Sequence, residues 1–250
     1  MNDAAAEALV NAMYRYTFGI VGDGGGGSEG RGLGTGVGLV WKNTYLIVTA
    51  AHAMQSTPYE RLSFLLPDES VHFADSDLRA EATPIAIRKR FELEKPKTII
   101  DDNHDLAAFI LEKQEQERGQ RHFYQLDDHH TAPTVRDQVG VVGYPGATKL
   151  AIGEYFMPTP YWTFGELHDV PPSFDVQDRI SMSYPIDRTV DAHGLSGCGM
   201  WISNSCGAFW SASVSLIGIT TDYEPSSESL IGYKVESVIH FLQDKEEWIN

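Results

Sequence analysis

The sequence has few of the features that mark secreted or membrane proteins. It contains only two cysteines, Cys198 and Cys206, among 250 residues. Small secreted domains usually carry more, so we expect two free thiols in a reducing compartment. No run of about 18 apolar residues is present, and no membrane-spanning segment is expected. The chain begins Met-Asn-Asp-Ala, without a basic start followed by an apolar run. This start predicts a cytoplasmic protein without a secretory signal.

Basic residues are also scarce. Lys and Arg number 19 against 35 Asp and Glu, which gives a formal net charge of −16. A nucleic-acid-binding protein needs a basic surface, so neither nucleic acid nor a membrane is expected as a partner. Hydrophobic residues make up 42% of the chain, which is enough for a packed core in one large domain or two small ones.

Short strand-like segments separated by turns recur along most of the chain, which favours an all-β fold. The clearest pair is residues 34–40 and 45–49, joined by a turn at residues 41–44. The glycine-rich residues 22–36 are predicted as a loop up to the start of this pair. Apolar spacing predicts a helix over residues 1–16 and another over residues 236–250. Between them we expect one half over about residues 17–125 and a second over about residues 133–235.

One serine, Ser196, stands between glycines late in the chain, in Gly194-Leu195-Ser196-Gly197. Glycine allows a sharp turn and leaves the neighbouring amide groups uncovered. Such a turn can present a hydroxyl nucleophile beside donors for an oxyanion, and acyl transfer needs both. Taken alone, the stretch is equally typical of a structural turn in a β protein.

Two residues upstream complete a chemical set. His52 follows the predicted strand at residues 45–49, and Asp105 precedes an apolar run at residues 106–111. A serine hydroxyl is a poor nucleophile near neutral pH, so a histidine must take its proton. A carboxylate then holds the imidazole in one tautomer and stabilises its charged form. Singly, a histidine after a strand or an aspartate before one is usually structural; the three together predict nucleophilic catalysis.

Five stretches resemble segments of the chymotrypsin/trypsin-like serine peptidases, in the order of that family. They cover the histidine, aspartate and serine segments, the strand that opens the second barrel in bacterial members, and the strand beside the substrate pocket. The stretches are Gly34-Thr35-Gly36 with Thr49-Ala50-Ala51-His52, then His104-Asp105-Leu106-Ala107, residues 139–145, Gly194-Leu195-Ser196-Gly197, and residues 216–221. The chain is similar to this family over about residues 17–243.

The resemblance implies two six-stranded antiparallel β-barrels with an active site in the cleft between them. His52 and Asp105 would come from the first barrel and Ser196 from the second. The backbone amides of Gly194 and Ser196 would form the oxyanion hole. Thr221 would support the aspartate, and Thr221, Asp222 and Tyr223 would line the cleft and pair with an extended peptide. The implied activity is that of a serine endopeptidase acting on polypeptide substrates, with no cofactor.

Three positions depart from the family pattern. Cys198 and Tyr223 stand where many members have glycine, so we expect a local adjustment beside the serine and a narrower cleft wall. Leu195 stands where animal members have an aspartate that captures a newly cut N-terminus. Activation by that cleavage is therefore not expected here. The basic-specific acid of trypsin falls near Val190, and the nearest acids are Asp187 and Asp191, so the preferred side chain stays open.

Other interpretations stay open at this point. Asp127-Asp128-His129-His130 together with His104 could form a metal site, but no zinc-ligand spacing is present and a solvated loop without metal is favoured. Cys198 or Cys206 could act as a thiol nucleophile. The fold could also serve as a catalytically silent interaction module. The N-terminal helix and the glycine loop are candidates for contact with a regulatory protein or for covering the cleft.

Overall fold

The computed structural model describes thirteen stretches of the chain. They are residues 3–22, 31–55, 62–67, 90–92, 97–112, 120–126, 133–134, 137–145, 149–152, 155–158, 160–185, 191–204 and 213–249. The acidic and histidine-rich residues 127–130, Asp187, Val190 and Cys206 lie outside these stretches, as does most of the glycine loop.

The described residues form an all-β fold with helices at both ends, as predicted. The strands of the first half are β1 (Thr17–Gly22), β2 (Arg31–Trp41), β3 (Thr44–Ala50), β4 (Leu62–Leu65), β5 (Arg90–Glu92), β6 (Lys97–Asp101), β7 (Leu106–Ile110) and β8 (Tyr124–Gln125). Those of the second half are β9 (Gln138–Gly143), β10 (Lys149–Ile152), β11 (Tyr155–Pro158), β12 (Tyr161–His168), β13 (Arg179–Ser183), β14 (Gly199–Ser203), β15 (Val214–Glu224) and β16 (Ser229–Lys234).

The helices are shorter than predicted. The N-terminal helix α1 spans Asp3–Tyr14, and the C-terminal segment divides into α2 (Val235–Asp244) and α3 (Glu246–Ile249). Among the described residues, none of the helices combines the length and the apolar character that crossing a membrane requires.

The two halves are built on separate sheets. The second half closes into a barrel of six strands, in the order β9, β12, β13, β16, β15, β14 and back to β9. The first half is an eight-stranded sheet in the order β5, β4, β1, β2, β3, β7, β6, with β8 paired parallel to β2. Over the described residues this first sheet is not a closed six-stranded ring, because β5 and β6 stand at its two ends.

The predicted hairpin of β2 and β3 is present and places the histidine. Trp41 pairs with Thr44, and the two residues between them, Lys42 and Asn43, both have positive φ of 45° and 67°. A two-residue turn with this backbone matches the right-handed twist of the paired strands. β3 then runs directly into a 3-10 turn, Ala51–Met54, which carries His52.

β2 begins earlier than the sequence predicts. Residues 31–33 were expected in the glycine loop, yet Arg31 pairs with Gly22 of β1. The backbone supplies the hydrogen bonds of a ladder, so a strand can extend into sequence whose side chains carry no strand signal. The predicted loop is therefore wrong for residues 31–33.

A shared apolar core joins the two halves. One cluster contains Val37 and Leu46 from the first half together with Val142 and Leu216 from the second, all with 1% of their surface exposed or less. Helix α1 packs against β9, β14 and β15 and adds its apolar face to the same cluster. The residues on that face are Leu9, Val10, Met13 and Tyr14. The helix thus serves the core, and contact with a regulatory partner stays a prediction.

We expect Met13→Ala to destabilise the protein by about 2–5 kcal/mol, because it empties a buried site in this core. The Met13 side chain is 1% exposed and lies where a side chain at Gly140 would have to go. Chemical denaturation measures the change in the free energy of unfolding. The control is Arg15→Ala at an exposed position just beyond the helix, which should change stability by less than about 0.5 kcal/mol. Equal effects of the two substitutions would show that α1 is not docked as described.

Candidate active site

Three residues far apart in sequence meet in the structure. The Nε2 atom of His52 lies 3.0 Å from Oγ of Ser196, and its Nδ1 atom lies 2.5 Å from Oδ2 of Asp105. The three side chains therefore form one continuous chain of hydrogen bonds from hydroxyl to carboxylate. The structure thus brings together the three residues that the sequence predicts as catalytic. The side chain of His52 is 43% exposed and that of Asp105 27%, so solvent reaches this hydrogen-bond network mainly at the histidine.

The backbone around Asp105 explains how its carboxylate reaches the imidazole. Strands β3 and β7 pair up to Ala50 opposite Leu106, which brings Asp105 next to the turn that carries His52. The carbonyl of Asp105 accepts a hydrogen bond from Ala51 N at 2.9 Å, and its Oδ1 accepts one from His52 N at 2.8 Å. Asp105 has a φ of 48°, an uncommon conformation for a non-glycine residue and one often found at functional sites.

The serine turn depends on backbone conformations that favour glycine. Gly194 has a φ of 95° and Gly197 a φ of 87°. A side chain at position 197 would also collide with the carbonyl oxygen of Thr35 and the hydroxyl of Thr49. Leu195 points into the apolar core of the second half and is fully buried, which anchors the turn. Gly194, Leu195 and Gly197 therefore each have a structural reason for their place in the Gly-Leu-Ser-Gly stretch.

Two amide groups in this turn make no hydrogen bond to any described residue. Those of Leu195, Gly197 and Cys198 donate to backbone carbonyls at 2.7–3.0 Å. Within the part of the chain that the structure describes, the amides of Gly194 and Ser196 donate to no partner. They are the two that the family resemblance implies as donors for an oxyanion. An unpartnered amide beside a nucleophile can stabilise negative charge that develops during a reaction.

The predicted substrate-binding residues lie on β15, next to the site. The pairing of β15 with β16 shifts between Thr220 and Asp222, so Thr221 occupies a bulge. Such bulges commonly redirect side chains beside active sites. The Tyr223 ring packs edge-on against Tyr184, with centroids 5.7 Å apart, and the narrower cleft wall stays a prediction.

Thr221 does not support Asp105 as the resemblance implies. Its hydroxyl donates to Oδ2 of Asp222 at 2.7 Å and accepts a hydrogen bond from Nη1 of Arg179 at 2.7 Å. A hydroxyl has one proton to donate, and Asp222 receives it. Arg179 also donates to Asp222 at 2.8 Å and stacks on the ring of Tyr233 at 3.7 Å.

The carboxylates near His52 favour its protonated form. The hydrogen bond with Asp105 raises the pKa of His52 above its ordinary value of 6.5, burial opposes the change, and the charges of Asp105 and Asp222 add to it. The hydrogen bond with Asp105 is the largest of these causes. His52 is therefore suited to accept a proton and hold it as an imidazolium.

We expect Asp105→Asn to lower the pKa of His52, because the carboxylate is lost while the opposing burial stays. Asp222→Asn should lower it less, since Asp222 acts only through its charge. An NMR titration of the imidazole in the three proteins measures both changes. A His52 that titrates equally in the wild type and in Asp105→Asn would contradict this account of the site.

Cys198 is placed as an inert thiol. It is a free cysteine, completely buried, and its sulfur lies 3.2 Å from the hydroxyl of Thr220. Burial raises its pKa to about 12, so almost none of it is thiolate near neutral pH. This placement argues against Cys198 as the nucleophile; Cys206 lies outside the described residues.

Iodoacetamide should therefore leave Cys198 unmodified in the folded protein and alkylate it after denaturation. Mass spectrometry of the peptide that contains residue 198 reads out both states, and the denatured sample serves as the control. Rapid alkylation of Cys198 under native conditions would revive the thiol as a candidate nucleophile.

The candidate metal site of His104 with residues 127–130 lies mostly outside the described residues. Over the described residues, no group of three or more His, Cys, Asp or Glu side chains is arranged to hold a metal ion. His104 instead pairs with Asp101, its Nδ1 atom 2.6 Å from Oδ2.

Sequence reasoning missed several residues that shape the site. Arg179 and Tyr233 flank Asp222, and nothing in their local sequence marks them. Thr35 and Thr220 make several hydrogen bonds to the serine turn. Thr35 carried a partial signal, because it lies in the Gly-Thr-Gly stretch that resembles the family.

Comparison with known proteins agrees on the fold. No protein-family model and no curated protein matches the sequence. Among solved structures, the chain is similar to a scabies mite inactivated protease paralogue, at 14% identity and a TM-score of 0.60, over 95% of this chain and 96% of the other. It is also similar to a protease of M. tuberculosis in its active form, at 13% identity and a TM-score of 0.59, over 97% and 86%.

Human heparin binding protein is a third similar structure, at 11% identity and a TM-score of 0.54, over 95% of this chain and 92% of the other. Identities this low show a shared fold and leave activity to be argued from the site. The chain has the fold of the chymotrypsin/trypsin-like serine proteases.

Proposed function

We propose that the protein is a serine endopeptidase that hydrolyses peptide bonds through an acyl-enzyme intermediate. The observation that carries the proposal is the unbroken hydrogen-bond chain Ser196, His52, Asp105, with distances of 3.0 Å and 2.5 Å. The free amides of Gly194 and Ser196 support it, because they supply the second requirement of acyl transfer beside the same hydroxyl.

In the first step, Oγ of Ser196 attacks the carbonyl carbon of a peptide bond while Nε2 of His52 takes the hydroxyl proton. The carbonyl oxygen becomes an oxyanion, which the amides of Gly194 and Ser196 stabilise. Asp105 stabilises the imidazolium that forms, through the short hydrogen bond to Nδ1.

The protonated His52 then gives its proton to the leaving amine, and the peptide bond breaks. The acyl group stays on Ser196 as an ester. A water molecule, deprotonated by His52, attacks this ester and releases the carboxylic acid product, and Ser196 recovers its proton. The proton transfers use Ser196, His52 and Asp105, which already form one chain of hydrogen bonds, and no cofactor takes part.

The geometry of β15 supports an extended polypeptide as substrate. β14 pairs with β15 as far as Ile219, whereas β15 continues to Glu224. Residues 221–223 therefore extend beyond Gly199, the first residue of β14, on the side where the serine turn lies. Backbone groups at such an edge can pair with an added strand, which would bring its peptide bonds past Ser196. The few cysteines and the buried free thiol favour a reducing compartment, such as the cytoplasm, for this activity.

The alternative is a catalytically silent interaction module on the same fold. The similar structures include one protease described as inactivated and one described as active, so the fold alone is compatible with both. The intact contacts among Ser196, His52 and Asp105 favour the enzyme.

A fluorophosphonate probe tests the proposal, because it reacts with a serine only when a base activates it. We expect the wild type to be labelled and Ser196→Ala to lose labelling, with peptide cleavage reduced by about 10⁶-fold. Ser173→Ala, which removes an exposed hydroxyl in another loop, is the matched control and should label like the wild type. A wild type that is neither labelled nor active on a broad peptide library would support the silent module instead.

A further inference from the structure

The serine turn needs something to hold it in its reactive shape. Gly194 and Gly197 have no side chains, so their positive φ angles are allowed but are not imposed by the residues themselves. Leu195 is apolar and buried, so the turn has no carboxylate at that position for a charged tie. The contacts of the turn with its neighbours must therefore fix it.

Thr35 of β2 binds the segment from Gly194 to Ser196, which carries both free amides. It makes one hydrogen bond at each end of this segment. Its hydroxyl donates to the carbonyl oxygen of Gly194 at 2.8 Å, and its backbone amide donates to the carbonyl oxygen of Ser196 at 3.0 Å. Thr35 is completely buried, so these bonds are protected from water. With both carbonyls held, the peptide groups from Gly194 to Ser196 have little freedom to rotate.

The same hydroxyl also connects the turn to Tyr144, which directly follows β9 of the second half. It accepts a hydrogen bond from Tyr144 N at 2.9 Å while it donates to Gly194. The carbonyl of Thr35 accepts from the hydroxyl of Thr49 at 2.6 Å, and Thr49 lies three residues before His52 in the chain. Thr35 thus connects the strand that leads to the base with the turn that carries the nucleophile.

Thr220 holds the opposite side of the turn. Its hydroxyl donates to the carbonyl oxygen of Leu195 at 2.5 Å, and its backbone exchanges hydrogen bonds with Gly197 N and Cys198 O at 2.7 Å and 2.9 Å. These contacts come from the second half, to which the turn itself belongs. Thr35 is different because it sets the turn relative to the half that carries His52.

We propose that Thr35 is a positioning residue whose hydroxyl keeps the serine turn in its reactive conformation. The expected effect of Thr35 on catalysis rests on the proposed function. Its expected effect on the conformation of the serine turn rests on the contacts alone. Loss of the hydroxyl would take this hydrogen-bond partner away from the Gly194 carbonyl and the Tyr144 amide, and the turn would shift in response.

Thr35→Val tests this, because it keeps the shape of the side chain and removes the hydroxyl. We expect the rate of fluorophosphonate labelling and kcat for peptide cleavage to fall by about 10²-fold, the size of effect that a displacement of about 1 Å produces at a catalytic group. KM should change little, since the edge of β15 is untouched. Thr35→Ser keeps the hydroxyl and should recover most of the wild-type rate.

Thr17→Val is the matched control. Thr17 is also completely buried, and its hydroxyl also donates to a backbone carbonyl, that of Met13 at 3.0 Å, but it is not part of the serine turn. The control should lose stability without losing kcat. If Thr35→Val and Thr17→Val lower stability alike and neither lowers kcat, the role of Thr35 is structural only and the proposal is overturned.

Amide hydrogen exchange supplies a readout that does not need activity. The amide of Gly197 donates to the carbonyl of Thr220 and that of Cys198 to the carbonyl of Leu195, and both should exchange at least about tenfold faster in Thr35→Val than in Thr17→Val. If the wild type shows neither labelling nor cleavage but exchange is still faster in Thr35→Val, this proposal is kept and the proposed peptidase is rejected. Unchanged exchange would reject this proposal whatever the activity.

A second pair of variants covers the case in which Thr35→Val does not fold. Thr35→Ser and Thr35→Ala both lose the methyl group, and only the serine variant keeps the hydroxyl. If the alanine variant folds, it should show the slow labelling and the fast exchange. If the alanine and valine variants both fail to fold while the serine variant folds, Thr35 serves folding and the proposal is wrong.

Discussion

The hydrogen bonds between strand β2 and the turn that carries Ser196 are the contact on which the site depends. His52 and Asp105 belong to one sheet, and Ser196 belongs to the barrel of the other half. A reaction between hydroxyl and imidazole tolerates little more than a few tenths of an ångström of misplacement, so a shared apolar core alone is too imprecise to align them. The bonds from Thr35 to the carbonyls of Gly194 and Ser196 supply directional contacts across this boundary. The core brings the two halves together, and these bonds fix the register between them.

The parts of the site that could be predicted are those that follow from local sequence. The β2–β3 hairpin follows from two apolar runs with a short polar turn between them, and it leads directly to His52. Asp105 is marked by the buried strand that follows it. Ser196 is marked by the glycines on either side, which the structure uses at φ angles of 95° and 87°. In each case a short stretch contains both the functional residue and the reason for its backbone shape.

The parts that could not be predicted depend on partners far along the chain. The hydroxyl of Thr35 bonds to residues 109 and 159 positions away, and both partners are backbone groups, an amide and a carbonyl, that almost any residue could supply. Thr221, which contacts Arg179 and not Asp105, lies at a bulge in β15, and a bulge leaves no periodic signal. The early start of β2 is a backbone pairing made by glycine-rich sequence. Tertiary hydrogen bonding decides all three.

The hydrogen bonds that hold the serine turn are made by neutral groups. A change of pH can therefore alter the protonation of His52 without altering the conformation of the turn. The hydroxyls of Thr35 and Thr220 do not titrate, so their bonds to the turn keep the same strength across the range in which a histidine changes charge. A latch made from a carboxylate and an amino terminus would instead weaken as the amine loses its proton, near pH 8. The nearby pair of His193 and Asp191 is mostly exposed, at 92% and 62%, so solvent screens it and it adds little to the turn. His52 is then the group that decides the response of the site to acid. Below its raised pKa the imidazole is protonated and cannot accept the Ser196 proton, while the turn and its two free amides keep their geometry.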